Sequence, residues 1–323
     1  MSATDLNILA LDTVTEACSV ALLARGTVEQ RFEAAANRHS RRVLGMAQEV
    51  LRARGLALRD LDALAVDVGP GAFTGARIGI GVAQGLAYGA DLTVIPVNSL
   101  EALAAAVLRP GNGGESGGDD GGDGGVGDAA GAAGGVGVGG DDAAGDVGAG
   151  DDAAGAGAGA GATIALPAID ARMEQVYFGL YSTAGALIEP ALATPGDAGE
   201  MVAAAISKTN APANLTGIGS GWDRHAPALL TALENAPALQ ESLHRTASQE
   251  SRHRPASQES LSKAALEWLP GRHPEAANIA RIAAARGLQH AVSPLHLRAT
   301  YLRIDVAKPA GKPGHPPKPG HPQ

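Results

Sequence analysis

Apolar and polar positions change their period along this chain, and each change marks an element. "LNILALD" (6–12) and "ACSVALLA" (17–24) are short apolar runs, which predicts two strands joined by a tight turn. "TVEQRFEA" (27–34) follows as a third, more polar strand and completes a meander. The period then becomes helical. Val43, Met46, Ala47, Val50 and Leu51 stand at i, i+3, i+4, i+7 and i+8, one apolar stripe, with Asn37 as cap and Gly55 as stop. "LDALAVDVG" (61–69) predicts a fourth strand, nearly all apolar and therefore buried on both faces. A glycine-rich helix, a strand "LTVIPV" (92–97) and a helix from Ser99 come next. The pattern restarts at 163. "TIALPAIDA" (163–171) and "EQVYFGLYS" (174–182) predict a hairpin turning at Arg172 and Met173. A helix near 196–207, a strand "NLTGIGS" (214–220) and helices near 223–234 and 274–287 complete a second α/β unit.

Three stretches break this order. Residues 110–162 are mostly Gly, Ala and Asp with a few Val, and cannot bury enough apolar surface to offset ordering entropy, which predicts a disordered insertion over 109–162. The stretch 240–262 repeats a polar nonapeptide, "QESLHRTAS", "QESRHRPAS", and reads as an expanded loop. The end, 308–323, is a Pro-rich tail in which His315 and His321 have no fixed geometry for a metal. The net charge of −9 follows from the insertion, because 110–162 carries ten acidic residues and no Lys or Arg. The remainder is close to neutral, which gives little reason to expect nucleic-acid binding by this chain alone. One cysteine, Cys18, excludes an internal disulfide and reads as a buried strand residue. No basic-apolar leader and no long uncharged apolar run is present, so the sequence predicts a cytoplasmic protein with no membrane span.

The glycine-rich helix poses the sharpest question. "FTGARIGIGVAQGLAYG" (73–89) holds Gly75, Gly79, Gly81, Gly85 and Gly89. Five interior glycines cost a helix about 4–5 kcal/mol relative to alanine. On a helical grid Gly75, Gly79, Ala83 and Ala87 form one smooth stripe, and Gly81, Gly85 and Gly89 a second, with Ile78, Ile80, Val82 and Leu86 as bulk between them. Small residues at i+4 spacing let two backbones approach closely. Three uses compete: packing of the helix on its own sheet, phosphate binding at "GPGAFTG", and an interface with a helix pair of another chain. The phosphate reading lacks the GK[ST] of a Walker loop and the GxGxxG spacing. The interface reading takes His39, Val43, Met46, Val50, Gly75, Arg77, Ile78, Gly79, Gly81, Val82, Gly85 and Leu86 as partner-binding residues.

"ILALDTVTEACSVALL", "HSRRVLGMAQEVL" and "GPGAFTGARIGIGVAQGLA" resemble the TsaB family, and "AIDARMEQVYFGLY" resembles that family's second-domain hairpin. Similarity covers about 6–108 and 163–182. The resemblance implies an α/β chain of two actin-like (ASKHA, RNase H-like) domains: 5–108, carrying the partner helices, and a smaller one at 163–307. It implies a dimerisation subunit of the machinery that makes threonylcarbamoyladenosine in tRNA. Its partners would be a TsaD-type transferase subunit bound through two helices, a TsaE-type ATPase, and tRNA indirectly through the complex. A homodimer using the same surface is a further alternative. ATP and a metal ion are expected on the partner subunits. Val14 and Ala72 stand where the family often has Ser.

The chain's own chemistry is sparse. The catalytic relatives use His-x-x-x-His, but His39 is followed four residues later by Val43. Asp12 and Thr13 occupy the turn that orients phosphate and metal in ATPase members of the superfamily, which keeps a nucleotide-dependent phosphotransferase or hydrolase as the competing reading. Asp170 and Glu174 read as solvated turn residues. No local catalytic triad is legible, so the expectation is an accessory subunit with no catalytic residue, metal or cofactor of its own.

Overall fold

The computed structural model describes residues 6–34, 39–108, 162–206, 208, 213–235 and 266–303. The expected insertion at 109–162 (all but its last residue), the repeat loop at 240–262, the tail at 308–323, and the cap Asn37 lie outside the described residues.

The first sheet is built from β1 (Ile8–Asp12), β2 (Ala17–Ala24), β3 (Thr27–Ala34), β4 (Ala63–Asp67) and β5 (Val94–Val97), in the order β3-β2-β1-β4-β5. β1 pairs antiparallel with β2 and parallel with β4. Every residue of β1, β2 and β4 is buried, as their unbroken apolar runs require of strands covered on both faces. β3, at the edge, is half-buried or exposed along its whole length. One face of the sheet presents Leu9, Leu11, Val20, Leu22, Leu64 and Val66 to α1 (His39–Ala53) and α2 (Phe73–Ala90). The other presents Ile8, Ala10, Ala21, Ala65, Ile95 and Val97.

The second sheet repeats the plan. β6 (Ala162–Asp170), β7 (Val176–Ser182), β8 (Gly185–Ala193), β9 (Ala213–Ile218) and β10 (Leu266–Leu269) run β10-β9-β6-β7-β8. β6 is antiparallel to β7 and parallel to β9, as β1 is to β2 and β4. The same connectivity built twice is the pair of actin-like domains expected from the sequence. One face of this sheet packs on α4 (Pro195–Ile206) and α5 (Ser220–Glu234) around Phe178 and Trp222. The indole of Trp222 donates to the Leu166 carbonyl at 2.8 Å. β8 and β10 are edge strands absent from the sequence reading. β10 is four residues long and β8 contains Pro190, so neither carries a strong strand signal.

The helices between the sheets are exchanged. α3 (Ser99–Leu108) follows the first sheet but packs Leu100, Leu103 and Ala104 against Ala165, Ile169 and Ile218 of the second. The helix expected near 274–287 is α6 (Ala276–Arg286), and its placement in the second unit is corrected. Its alanines and Ile279 fill the first sheet's second face. The run Ala276, Ala277, Ala280, Ala283 and Ala284 brings its backbone close to small strand residues such as Ala10 and Ala65, which bulkier side chains would prevent. Asn278 donates to the Ala102 carbonyl at 3.2 Å, and Arg286 pairs with Glu101, tying α6 to α3. Beyond α6 the chain bonds β5 (Val94 N–H to Val292 O, 2.9 Å) and continues along α2, where Gln84 donates to the Pro294 carbonyl at 2.9 Å. No helix among the described residues is long and apolar enough to cross a membrane.

Candidate functional site

The two small-residue stripes of α2 have different fates. Gly75, Gly79, Ala83 and Ala87 are buried against the chain's own sheet. A Cβ on Gly75 would collide with the Thr13 carbonyl oxygen, and one on Gly79 would stand 2.6 Å from the Thr13 hydroxyl. That hydroxyl donates to the Gly75 carbonyl at 2.7 Å, so the turn after β1 is locked onto the helix. Gly81, Gly85 and Gly89 are exposed, and a Cβ on any of them would meet nothing within 4 Å. Internal packing therefore accounts for the first stripe and leaves the second unexplained.

The residues read from sequence as partner-binding divide along the same line. Val43, Met46 and Val50 are fully buried in the first core and are corrected to core residues. Their stripe faces the sheet because an amphipathic helix turns its most continuous apolar face inward. Gly75 and Gly79 are likewise internal. His39 is buried with Nε2 3.3 Å from the Glu16 carbonyl oxygen, and burial lowers its pKa, which favours the neutral ring. Val82 and Leu86 are half-buried against the core, Ile78 is half-buried, and Gly81, Gly85 and Arg77 are exposed.

Two exposed apolar residues stand outside the sequence candidates, and one of them, Tyr88, extends this open face. Tyr88 follows Gly85 by three positions, on the same side of α2, and is 75% exposed. Leu44, on α1, shares a helix side with Ala47 and Leu51 at i, i+3 and i+7 and is 44% exposed. The only signal for either was an apolar residue standing just off the core stripe. At the start of α2, Phe73 and Arg77 meet Tyr301 from the C-terminal segment: Arg77 Nε donates to the tyrosine hydroxyl at 3.1 Å.

Asp12 and Thr13 are both fully buried. Asp12 accepts the Val14 amide at 2.9 Å, and Asp67, at the matching end of β4, accepts the Ser99 hydroxyl at 2.6 Å and the Gly69 amide at 2.8 Å. Their remaining Oδ2 atoms are buried without a partner. Burial, then the facing Asp67 carboxylate, raises the Asp12 pKa well above its ordinary value. Burial raises Asp67 to about 7 against the Ser99 and Gly69 hydrogen bonds. Both carboxyls are thus biased toward protonation, as burial of two facing carboxylates requires. The turn after β1 is packed against the start of α2, with the Ala72 amide donating to the Val14 carbonyl at 2.8 Å and Asp12 and Thr13 turned inward. No group of three or more His, Cys, Asp or Glu suited to a metal ion occurs among the described residues.

Asp170 is corrected from a solvated turn residue to a half-buried hub, its side chain 11% exposed. It faces His225 Nε2 at 3.2 Å, Arg224 at 3.5 Å and Arg172 at 3.6 Å. Arg172, Met173 and Glu174 all adopt positive φ, so the turn is wider than the two residues expected, and Arg303 pins it through the Ala171 carbonyl at 2.9 Å. Glu174 itself is exposed. Cys18 is buried, and burial pushes its thiol up to about 12, as suits an inert strand residue.

A family model described as "TsaD: tRNA N6-adenosine threonylcarbamoyltransferase" matches residues 31–115. A Haemophilus influenzae protein named tRNA threonylcarbamoyladenosine biosynthesis protein TsaB is 56% identical over 102 residues, 32% of this chain and 43% of that protein. Its Escherichia coli namesake is 52% identical over 104 residues, 32% of this chain and 45% of that protein. The matched stretch thus spans less than half the length of these curated relatives. Among solved structures, a Pseudomonas aeruginosa protein described as similar to peptidase YeaZ superposes with a TM-score of 0.57 at 28% identity, covering 94% of this chain and all of the other.

Proposed function

From the premise that the chain belongs to the TsaB family, we propose that it is a non-catalytic partner subunit of the complex that transfers a threonylcarbamoyl group to the adenosine 3′ of the anticodon in tRNAs reading A-starting codons. In this reading it binds and supports a TsaD-type catalytic subunit. The observation that carries it is the second glycine stripe of α2. A Cβ on Gly81, Gly85 or Gly89 would meet no other described part of the chain within 4 Å, so a helix-weakening choice at three positions has no visible packing return. A helix of another protein laid along this strip would gain close backbone contact and many dispersion contacts. Half-buried Ile78 and Val82 with exposed Tyr88 supply apolar flanks for it.

The chain is assigned no catalytic residue, metal or cofactor; ATP and a metal ion belong to the partner subunits, and the complex works in the cytoplasm. A TsaE-type ATPase and tRNA join through the assembly, and a homodimer through the same strip is the competing assembly. The nucleotide-hydrolase reading is disfavoured by the inward-turned Asp12 and Thr13. The test is co-expression of the full chain with the TsaD-type subunit of the same genome. The two are expected to co-purify at a fixed ratio, and a chain that emerges alone and hydrolyses ATP overturns the proposal.

A further inference from the structure

A smooth strip permits close approach but does not say where along its axis a partner stops. Sliding by one turn would present nearly the same surface. Register needs at least one directional contact.

One group lies in place to provide it. Arg77 sits one turn before Gly81 on the outward side of α2. Its guanidinium carbon stands 3.7 Å from the centroid of the Phe73 ring and 6.0 Å from that of Tyr301. The two rings are 5.5 Å apart and tilted by 40°, and each residue is 49% exposed. Nε is held by the Tyr301 hydroxyl at 3.1 Å. Among the described residues no other cation is stacked on a ring in this way. Arg31, Arg42, Arg172, Arg224 and Arg286 each face a carboxylate of their own chain. Among the described residues Arg77 has no such partner, and its two Nη groups, which form an edge able to grip a carboxylate, make no hydrogen bond. A flexible side chain is thus ordered before any partner arrives, with its best donors left free.

The surroundings favour a protein carboxylate over a nucleic-acid phosphate. The cleft behind Phe73 and Tyr301, walled by Tyr177 and Arg303, is small, with about 70 Å³ of room. The nearby β6–β7 turn is not a basic stripe. Its Arg172 is shared between Asp170 and Glu16, and Glu174 is exposed.

We propose that Phe73, Arg77 and Tyr301 form a preorganised clamp for an Asp or Glu of the partner subunit, carried on the helix that lies along Gly81 and Gly85, and that this pair sets the helix register. The inference rests on the reading of α2 as the partner face.

The test is calorimetric titration of the full chain with the TsaD-type subunit at low and high salt. Arg77→Ala is expected to weaken binding on the order of 30-fold, as buried arginine anchors do, and to flatten the salt dependence. Arg77→Lys should recover little, because it lacks the planar fork and the stacking. Tyr301→Phe, which removes only the hydroxyl that steadies Nε, should weaken binding about threefold. Wild-type affinity in Arg77→Ala, or full rescue by Arg77→Lys, overturns the clamp while leaving the partner reading intact. Loss of tRNA affinity in Arg77→Ala with subunit affinity unchanged overturns it in favour of a phosphate contact. Absence of wild-type binding overturns the partner reading and the clamp with it.

Discussion

Replacing the exposed glycines of α2 by alanine should make the isolated protein more stable, and this prediction isolates the reason they are there. A Cβ at Gly81 or Gly85 meets no atom within 4 Å, so neither substitution gains or loses packing. What remains is backbone propensity, about 0.8–1 kcal/mol per Gly→Ala in a helix interior. Gly81→Ala and Gly85→Ala together are worth about 2 kcal/mol. In a domain of this size 1 kcal/mol moves the melting temperature by about 2–4 °C, so the double variant should melt about 4–8 °C higher. Thermal melts of the full chain alone, followed by far-ultraviolet circular dichroism at one pH, read this directly. Glycines that raise stability when removed are retained for something outside the isolated fold. A double variant that melts at or below the wild-type temperature would refute the reasoning, because the stripe would then serve internal packing.

The internal stripe should respond with the opposite sign: Gly75→Ala forces its Cβ into the Thr13 carbonyl and should lower stability by about 1–3 kcal/mol, read by urea denaturation. The Asp12–Asp67 pair sets a pH slope. With folded pKa values raised and Asp67 near 7, the native state holds a proton that the unfolded chain releases above about pH 4. Stability from this source is fully present below pH 4 and is lost as pH rises to about 7, at up to about 1.4 kcal/mol per pH unit for each proton held. Asp67→Asn, whose amide can donate to Asp12 in place of that proton, should flatten the slope in denaturation curves taken between pH 4.5 and 8. Asp170→Ala leaves buried His225 without its carboxylate and should destabilise by about 2–3 kcal/mol, visible as an earlier urea midpoint.

How far the sequence could be read follows from the physics of each element. β1, β2 and β4 are legible because strands covered on both faces must be apolar throughout, and no exposed helix carries such runs. β8 and β10 are illegible because edge strands are short, polar or interrupted by Pro190. The partnership of α3 and α6 with opposite sheets is invisible to periodicity, which shows that a helix has an apolar face but not which sheet covers it. The same limit explains the site. Both small-residue stripes of α2 were visible at i+4 spacing, but only the tertiary fold could show that Thr13 fills one and nothing fills the other. Val43, Met46 and Val50 read as interface residues in the sequence because an apolar stripe looks alike whether it meets its own sheet or a foreign helix. Tyr301 could not be linked to Arg77, since that contact spans most of the chain.

The central claim is that the outward side of α2, from Arg77 through Gly81 and Gly85 to Tyr88, is where the TsaD-type subunit sits. Amide hydrogen exchange of the full chain with and without that subunit tests it most directly. Added protection concentrated in residues 73–90 and in α1 is the predicted result. Binding that protects the second sheet instead, with α2 exchanging as it does alone, would contradict it.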